Sequence, residues 1–366
     1  MTHTTQTIKP RVLCNAVDFG FGPAGKLSAI LAELPEVEPV LLRSQSFGDI
    51  VPTFARSKGE DATSLIECTT DVDAALVVLD PALASELARL GINVVYVDSL
   101  PHMWTEQDFI CEDVFAYCAQ RVEGIHELPR LAEVANLQWV DAISVVNGPR
   151  DPVPGSALVN VGGVSSPYGS SETSAYTELV LPPVVAALRE NGYEVHVTGR
   201  VPKTLSRRLD VPDTTVVSHR EFLDLLRKAA VLVTSPGMTA MLEAGSIGIP
   251  TTLLPPQNLS QVLNVEQVTR FGRGSVMSWP PNTIDRNQLE LFRQLGEGPS
   301  VEYIHSAIES LRGNASAETH LRKSASTAAA SADTWLADYT SALGTSGATQ
   351  IAAHVRRAIY APSQRS

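Results

Sequence analysis

Cysteine, long apolar runs and excess positive charge are all scarce in this 366-residue sequence, and each shortage excludes a class of protein. Its four cysteines (Cys14, Cys68, Cys111 and Cys118) form no CxxC pair and no framework spacing, which argues against disulfides and structural zinc. Cys14 sits in an apolar run and reads as a small core residue. No apolar run approaches the ~20 residues of a membrane span. The polar start MTHTTQTIKPRV lacks the apolar core of a signal peptide. The expectation is a soluble, cytoplasmic chain. Lys and Arg number 28 against 40 Asp and Glu, a formal net charge of −12, with no long basic stripe. Broad surfaces for a nucleic-acid backbone or an anionic membrane are therefore not expected. An anionic ligand would have to be caught locally, by devices such as helix N-termini.

What is present is ordinary globular material: 44% hydrophobic and 19% charged residues. The length favours two domains. Along the first 148 residues, β-rich runs such as RVLCNAVDF, VEPVLLRS, DAALVVLD and INVVYVDS alternate with helical patterns such as LSAILAELPE and PALASELARLG. Strands apolar throughout and separated by amphipathic helices predict a parallel sheet covered on both faces. NGPRDPVPG then concentrates Pro and Gly, and the strand–helix pattern restarts with ALVNVGGV. Its expected elements include a helix interrupted at Pro182 and Pro183, strands in YEVHVTGR and TTVVSH, the helix REFLDLLRKA, and the series AAVLVTSPG, MTAMLEAGSIG and IPTTLLPP. The predicted architecture is α/β, with two Rossmann-like, doubly wound parallel-sheet lobes facing a cleft. Residues 1–148 form the first lobe, 149–155 a linker, 156–340 the second lobe, and 341–366 a C-terminal helix and tail crossing back to the first. Closure by rotation at 147–155 is expected.

Two segments carry chemistry. Asp18-Phe19-Gly20-Phe21-Gly22-Pro23-Ala24-Gly25-Lys26 follows a predicted strand and opens a predicted helix. Gly20, Gly22 and Gly25 spell G-x-G-x-x-G, but Pro23 sits inside and no acidic residue ends the second strand. That strand ends in Arg43-Ser44. A tight strand-to-helix turn and a dinucleotide site both fit this segment, whereas a Walker loop does not. In the second segment, Val231–Thr234 runs into Ser235-Pro236-Gly237 and a helix from about Met238, whose free first-turn N–H groups suit a diphosphate. Glu243 lies further along, where a carboxylate could accept from a ribose diol. The short strand 251–254 delivers Gln257-Asn258-Leu259-Ser260-Gln261, with amides suited to sugar hydroxyls.

This ordered combination resembles the nucleotide-sugar site of two-lobed (GT-B) glycosyltransferases, and especially the family that adds N-acetylglucosamine to lipid-linked muramyl peptide. Glu243 stands five residues before Gly248-Ile249-Pro250, and Gln257, Gln261 and Asn264 follow. Pro236 departs from that family's Ser-Gly turn, and the glutamine spacing differs. The resemblance implies a donor site of Gly162, Gly163, Ser235, Pro236, Gly237, Met238, Thr239, Glu243, Gln257, Asn258 and Gln261. Residues 218–221, including His219 and Arg220, fall where such enzymes read the donor base. AVDFGFGPAGKLSAILAEL and VVYVDSLPHMWT add a narrower resemblance to bacterial cytosylglucuronate synthases of nucleoside antibiotic biosynthesis. Those enzymes join cytosine or hydroxymethylcytosine to glucuronic acid taken from UDP-glucuronate. On that likeness Phe19, Gly20, Phe21, Gly22 and Trp104 would face the acceptor.

An α-linked donor giving a β-N-glycoside requires inversion, a base for the acceptor N–H, and a stabiliser for the departing diphosphate. Candidate bases are Asp18, His102 and Glu106. Each has a plainer alternative: a cap on the glycine turn, a packed loop residue, and a first-turn helix acid. Trp104 stacks on a flat base or plugs a lobe surface. Arg43 and Arg200 sit at strand ends, where a planar fork would suit a glucuronate carboxylate or an ion pair. Asp71-Val72-Asp73 reads as a turn rather than a metal-binding pair, so neither metal nor cofactor is expected beyond the UDP-sugar co-substrate. Partners would be small molecules, with no nucleic acid or membrane. A homodimer is one option for the oligomeric state. The rival readings are another GT-B UDP-sugar glycosyltransferase of secondary metabolism, a non-hydrolysing UDP-sugar 2-epimerase, which shares the two-lobed fold, and a silent nucleotide-sugar-binding subunit.

Overall fold

The computed structural model describes residues 9–17, 19–42, 57–58, 69, 71–123, 129–144, 149–162, 174–212, 216–271 and 274–362. Two separate sheets organise them. The first contains β1 (Arg11–Ala16), β2 (Glu38–Leu42), β3 (Ser57–Lys58), β4 (Ala74–Val78), β5 (Val94–Asp98), β6 (Ala116–Gln120) and β7 (Leu137–Val140), in the order β3-β2-β1-β4-β5-β6-β7. The second contains β8 (Ser156–Asn160), β9 (Glu194–Thr198), β10 (Val231–Thr234), β11 (Thr251–Leu253) and β12 (Ser275–Val276), in the order β12-β11-β10-β8-β9. Every strand pairing within both sheets is parallel. The helices used below are α1 (Gly22–Ala32), α2 (Pro81–Arg89), α3 (Ser174–Glu190), α4 (His219–Lys228), α5 (Met238–Ile247), α6 (Leu259–Arg270), α7 (Arg286–Gln294), α8 (Glu297–Glu309), α9 (Ala315–Ser331), α10 (Trp335–Leu343) and α11 (Gly347–Tyr360).

Strand pleating explains the two-faced burial. In β1, Val12, Cys14 and Ala16 join one apolar cluster and Leu13 joins another on the opposite face. Cys14 is fully buried, and desolvation pushes its thiol pKa far up, as fits an inert core residue. The face that receives Val12 and Cys14 is completed from the other end of the chain. Ala348, Ile351, Ala352, Val355 and Ala358 of α11 recur at helical spacing and pack into that cluster. Asn93 donates to the Ala358 carbonyl at 3.0 Å and fixes the end of the helix.

Two local expectations change. Pro182 and Pro183 lie inside α3 without interrupting it. Each proline forfeits an intrahelical hydrogen bond. Buried Val180, Leu181, Val184, Val185 and Leu188 hold the helix against the second-lobe core. The run TTVVSH was expected as a strand, but Val216, Val217 and Ser218 belong to none, and 213–215 lie outside the described residues. Ser218 instead forms a capping box with Glu221 and starts α4. No helix among the described residues is long and apolar enough to cross a membrane.

Candidate functional site

A cavity of about 500 Å³ lies where the carboxyl ends of both sheets face each other, the edge at which open α/β sheets bind ligands. The second-lobe wall begins with β10, which ends in Ser235. The Gly237 N–H donates to the Ser235 carbonyl at 2.7 Å, and Gly237 then caps α5 in an extended conformation with no side-chain cap. The first-turn N–H groups of α5 consequently have no intrahelical partner and present the positive end of the helix dipole to the cavity.

Glu243, one turn further on, lines the cavity although only 2% exposed. Its Oε1 is 2.5 Å from Nε2 of His219, in the first turn of α4. Burial works against a charged His219, but the Glu243 charge and hydrogen bond outweigh it and raise the imidazole pKa. Two backbone amides of the predicted base-reading segment are already used: Glu221 N–H donates to Ser218 Oγ, and Ser218 N–H to Glu221 Oε2. Arg220 is exposed and outside the cavity wall.

The loop after β11 is internally braced. Gln257 donates from its side chain to the Val161 carbonyl at 3.1 Å and from its backbone to Gln261 Oε1 at 3.1 Å. Asn258 Oδ1 caps α6 by accepting from Gln261 N–H. The side-chain nitrogens of Asn258 and Gln261, both lining the cavity, have no partner among the described residues and remain as donors. Gly162, Ser235, Met238 and Thr239 also line the cavity. Pro236 does not, and its carbonyl accepts from Asn264 Nδ2 at 2.8 Å. Nor does Arg200, whose guanidinium lies 5.7 Å from the ring centroid of Phe21. Gly199, between Arg200 and β9, needs its glycine: φ is +109°, and a Cβ would stand 2.6 Å from the Gly162 carbonyl oxygen.

Phe19, Gly20, Phe21, Gly22 and Trp104 form the first-lobe wall. Asp98, at the end of β5, holds Trp104 in place. Its Oδ2 accepts from Trp104 Nε1 and Tyr117 OH, both at 2.8 Å, and its Oδ1 accepts from Leu100 N–H at 3.0 Å. Burial nonetheless dominates these bonds and pushes the Asp98 pKa up to about 6. The glycines of α1 serve lobe contact. Thr239 Oγ1 donates to the Gly22 carbonyl at 3.1 Å, and a Cβ on Gly25 would stand 3.2 Å from Thr239 Cγ2.

Of the three base candidates, Asp18 lies outside the described residues, as do Gly163 and Arg43. His102 is buried in a 3₁₀ turn, Pro101–Met103, and does not line the cavity. Asn264 donates to Pro236 through Nδ2, so its Oδ1 accepts, and His102 Nε2, 2.9 Å away, must carry the hydrogen. That leaves His102 Nδ1 buried without a partner, and desolvation lowers the ring's pKa to about 4. Glu106 is exposed and borders a separate hollow beside Arg293. Arg293 in α7 donates to the carbonyls of His102 and Met103 at 3.1 and 3.0 Å, so this edge of the cleft is also a lobe contact.

Four ionisable cavity residues, Lys26, Asp80, Asp108 and Glu297, have no role in the reading of the sequence. Lys26 is 1% exposed. Asp80 caps α2 through Leu83 N–H and accepts from Asn15, beside Leu79 with its φ of +58°. Glu297 opens α8 and faces the cavity, its pKa pushed up to about 7 by burial and then by the Asp108 charge. An Asp before Pro81 at a strand end is the one legible signal among them. Among the described residues no three His, Cys, Asp or Glu side chains are grouped to hold a metal ion.

Solved structures with the same two-lobed arrangement include the spinosyn forosaminyltransferase SpnP (12% identity, TM-score 0.54, covering 96% of this chain and 100% of that one). Another is Os79 from O. sativa in complex with UDP (13%, TM-score 0.53, 95% and 100%). A third is the spinosyn rhamnosyltransferase SpnG complexed with thymidine diphosphate (14%, TM-score 0.52, 95% and 99%). These likenesses establish a GT-B fold. No curated protein matches the sequence. The family model described as CGA synthase-related protein matches residues 32–313, most of the chain, and the chain therefore belongs to the CGA synthase-related family.

Proposed function

We propose that this protein is an inverting glycosyltransferase that transfers glucuronic acid from UDP-glucuronate to N1 of cytosine or a cytosine derivative. The observation that carries the reading is the uncapped N-terminus of α5 with buried Glu243 behind it, facing an aromatic first-lobe wall across one cavity. Membership of the CGA synthase-related family supports it. In this reading the second lobe, 156–340, binds the donor and the first, 1–148, the acceptor. The diphosphate lies at the first turn of α5, where oriented N–H groups meet the charge that grows as the glycosidic bond breaks. This stabilisation uses backbone dipoles rather than a metal. Glu243 accepts from the ribose, Asn258 and Gln261 donate to the sugar, and Trp104 stacks on the base. The N1–C1′ bond forms on the face opposite the leaving oxygen. The electron pair of the old C1′–O bond leaves with UDP, and the N1 proton passes to Asp18 as base.

The test is to incubate the protein with UDP-glucuronate and cytosine or hydroxymethylcytosine and seek the conjugate and UDP by mass spectrometry. Failure with every pyrimidine would sink the acceptor assignment. UDP release with another acceptor would keep the general class. Interconversion of the UDP-sugar without an acceptor would favour an epimerase. Asp18→Asn should depress turnover with UDP affinity nearly intact, and unchanged turnover would remove Asp18 as base.

A further inference from the structure

We propose that Lys26 of the first lobe is an anion ligand, its ammonium donating to a phosphate oxygen of a diphosphate held at the N-terminus of α5 in the second lobe. The assignment rests on the donor-site reading above but names a residue from the opposite lobe. Lys26 is 1% exposed yet lines the cavity. Its Nζ donates to Gln120 Oε1 at 2.8 Å and to the Ile143 carbonyl at 3.2 Å. Gln120 is itself fixed, because its Oε1 also accepts from Ile143 N–H at 3.1 Å. An ammonium has three hydrogens, and the third has no acceptor among the described residues. Neither anchor is an anion, and no carboxylate lies within ion-pair distance of Nζ among the described residues. Removing a cation from water without an adjacent counter-charge is costly. Such a group persists where a ligand completes its shell.

The position selects the ligand. A Cβ on Gly25, the preceding residue, would stand 3.2 Å from Thr239 Cγ2 in the first turn of α5 and 3.9 Å from His219 Nε2. Lys26 and the free N–H groups of α5 therefore border the same space from two sides, an arrangement suited to an anion with several oxygens. Desolvation lowers the Lys26 pKa to about 7 while the Glu243 charge works in the other direction. A bound anion adds a second favourable charge and draws the amine to its protonated form. Donor binding then ties the lobes together through a charge, and release of the diphosphate lets them part.

Calorimetric titration of the full chain with inorganic pyrophosphate, UDP and uridine tests this in wild type, Lys26→Met and Lys26→Gln. Methionine fills the same volume without charge, and glutamine keeps a donor if the methionine variant fails to fold. The expected result is a loss of about 10- to 100-fold in pyrophosphate and UDP affinity with uridine affinity unchanged. Variant affinities for pyrophosphate and UDP within twofold of wild type would overturn the proposal. So would a parallel loss for uridine, which would place the lesion in the nucleoside pocket. Wild-type binding of pyrophosphate, lost in the variants, with UDP held no better, would keep Lys26 as an anion ligand and refute the uridine-donor reading. UDP binding equal to that of uridine with no response to pyrophosphate would do the reverse.

Discussion

Thr239 of the second lobe donates its hydroxyl to the carbonyl of Gly22 in the first lobe at 3.1 Å, so the N-terminal turns of α5 and α1 meet directly across the cleft. The His102–Asn264 hydrogen bond and the Arg293 contacts close the neighbouring edge. Short polar contacts around the cavity rim thus join the lobes beside the apolar packing of Met103 into the second-lobe cluster, and a Cβ on Gly25 would crowd Thr239.

Gly25→Val should wedge the lobes apart, because even the first carbon of a side chain would stand 3.2 Å from Thr239 Cγ2. Core-like overpacking costs about 1–3 kcal/mol, here relieved by separation rather than unfolding. Small-angle scattering should show a larger radius of gyration, with a raised KM for the sugar donor and little change in circular dichroism. An unaltered radius would show that α1 and α5 do not control closure.

Glu243→Ala removes an oxygen that His219 uses and, in the donor reading, the ribose acceptor. UDP affinity should fall by about 1–3 kcal/mol. Glu243→Gln, which keeps an acceptor for His219, should lose less. Equal UDP affinity in wild type and Glu243→Ala would move the nucleoside away from α5.

The His219–Glu243 pair gives stability a definite pH slope. The folded imidazole pKa lies above its unfolded value of about 6.5. The pair's contribution is therefore fully present below pH ~6.5 and is lost as pH rises through the higher folded value. Urea unfolding of wild type and His219→Gln should show a stability difference that is larger at pH 6 than at pH 9. A difference constant across that window would mean that the pair carries no extra proton.

Asp98→Asn attacks the support of Trp104. One Asp98 oxygen accepts from both Trp104 and Tyr117 while the other accepts from Leu100 N–H. An amide offers a single acceptor oxygen, so either the aromatic pair or the backbone donor loses its partner. A cost of about 1–3 kcal/mol is expected for the orphaned buried donor, with altered Trp104 fluorescence and weaker acceptor binding. Unchanged fluorescence and acceptor KM would show that Trp104 is placed by packing alone.

The strand–helix alternation was legible because both sheets are parallel and buried, leaving runs such as DAALVVLD with no polar interruption. The second-lobe wall of the cavity was legible for a related reason: a strand, a small-residue turn and a helix follow one another in the chain, from Val231 to Glu243. Lys26 was not, because its anchors lie 94 and 117 positions away, on and beyond β6. In sequence it is one lysine in an amphipathic helix. His102 misled for the converse reason, since a histidine in a loop at a strand end looks available until Asn264, 162 positions away, occupies its Nε2. Val217 and its neighbours looked like a strand because β-branched residues also suit the extended entry to a capped helix.

The placement of α11 bears on synthesis as well as on architecture. Ile351, Val355 and Ala358 finish a core begun by Val12 and Cys14, so the ribosome delivers the two halves of one apolar surface more than three hundred codons apart. Until α11 is made, that face of the first sheet carries α1 but lacks its last layer. The second lobe, whose described sheet strands lie between Ser156 and Val276, has those strands available earlier. A premature stop anywhere before residue 347 deprives the first lobe of its last layer even though every described strand of that lobe has been made.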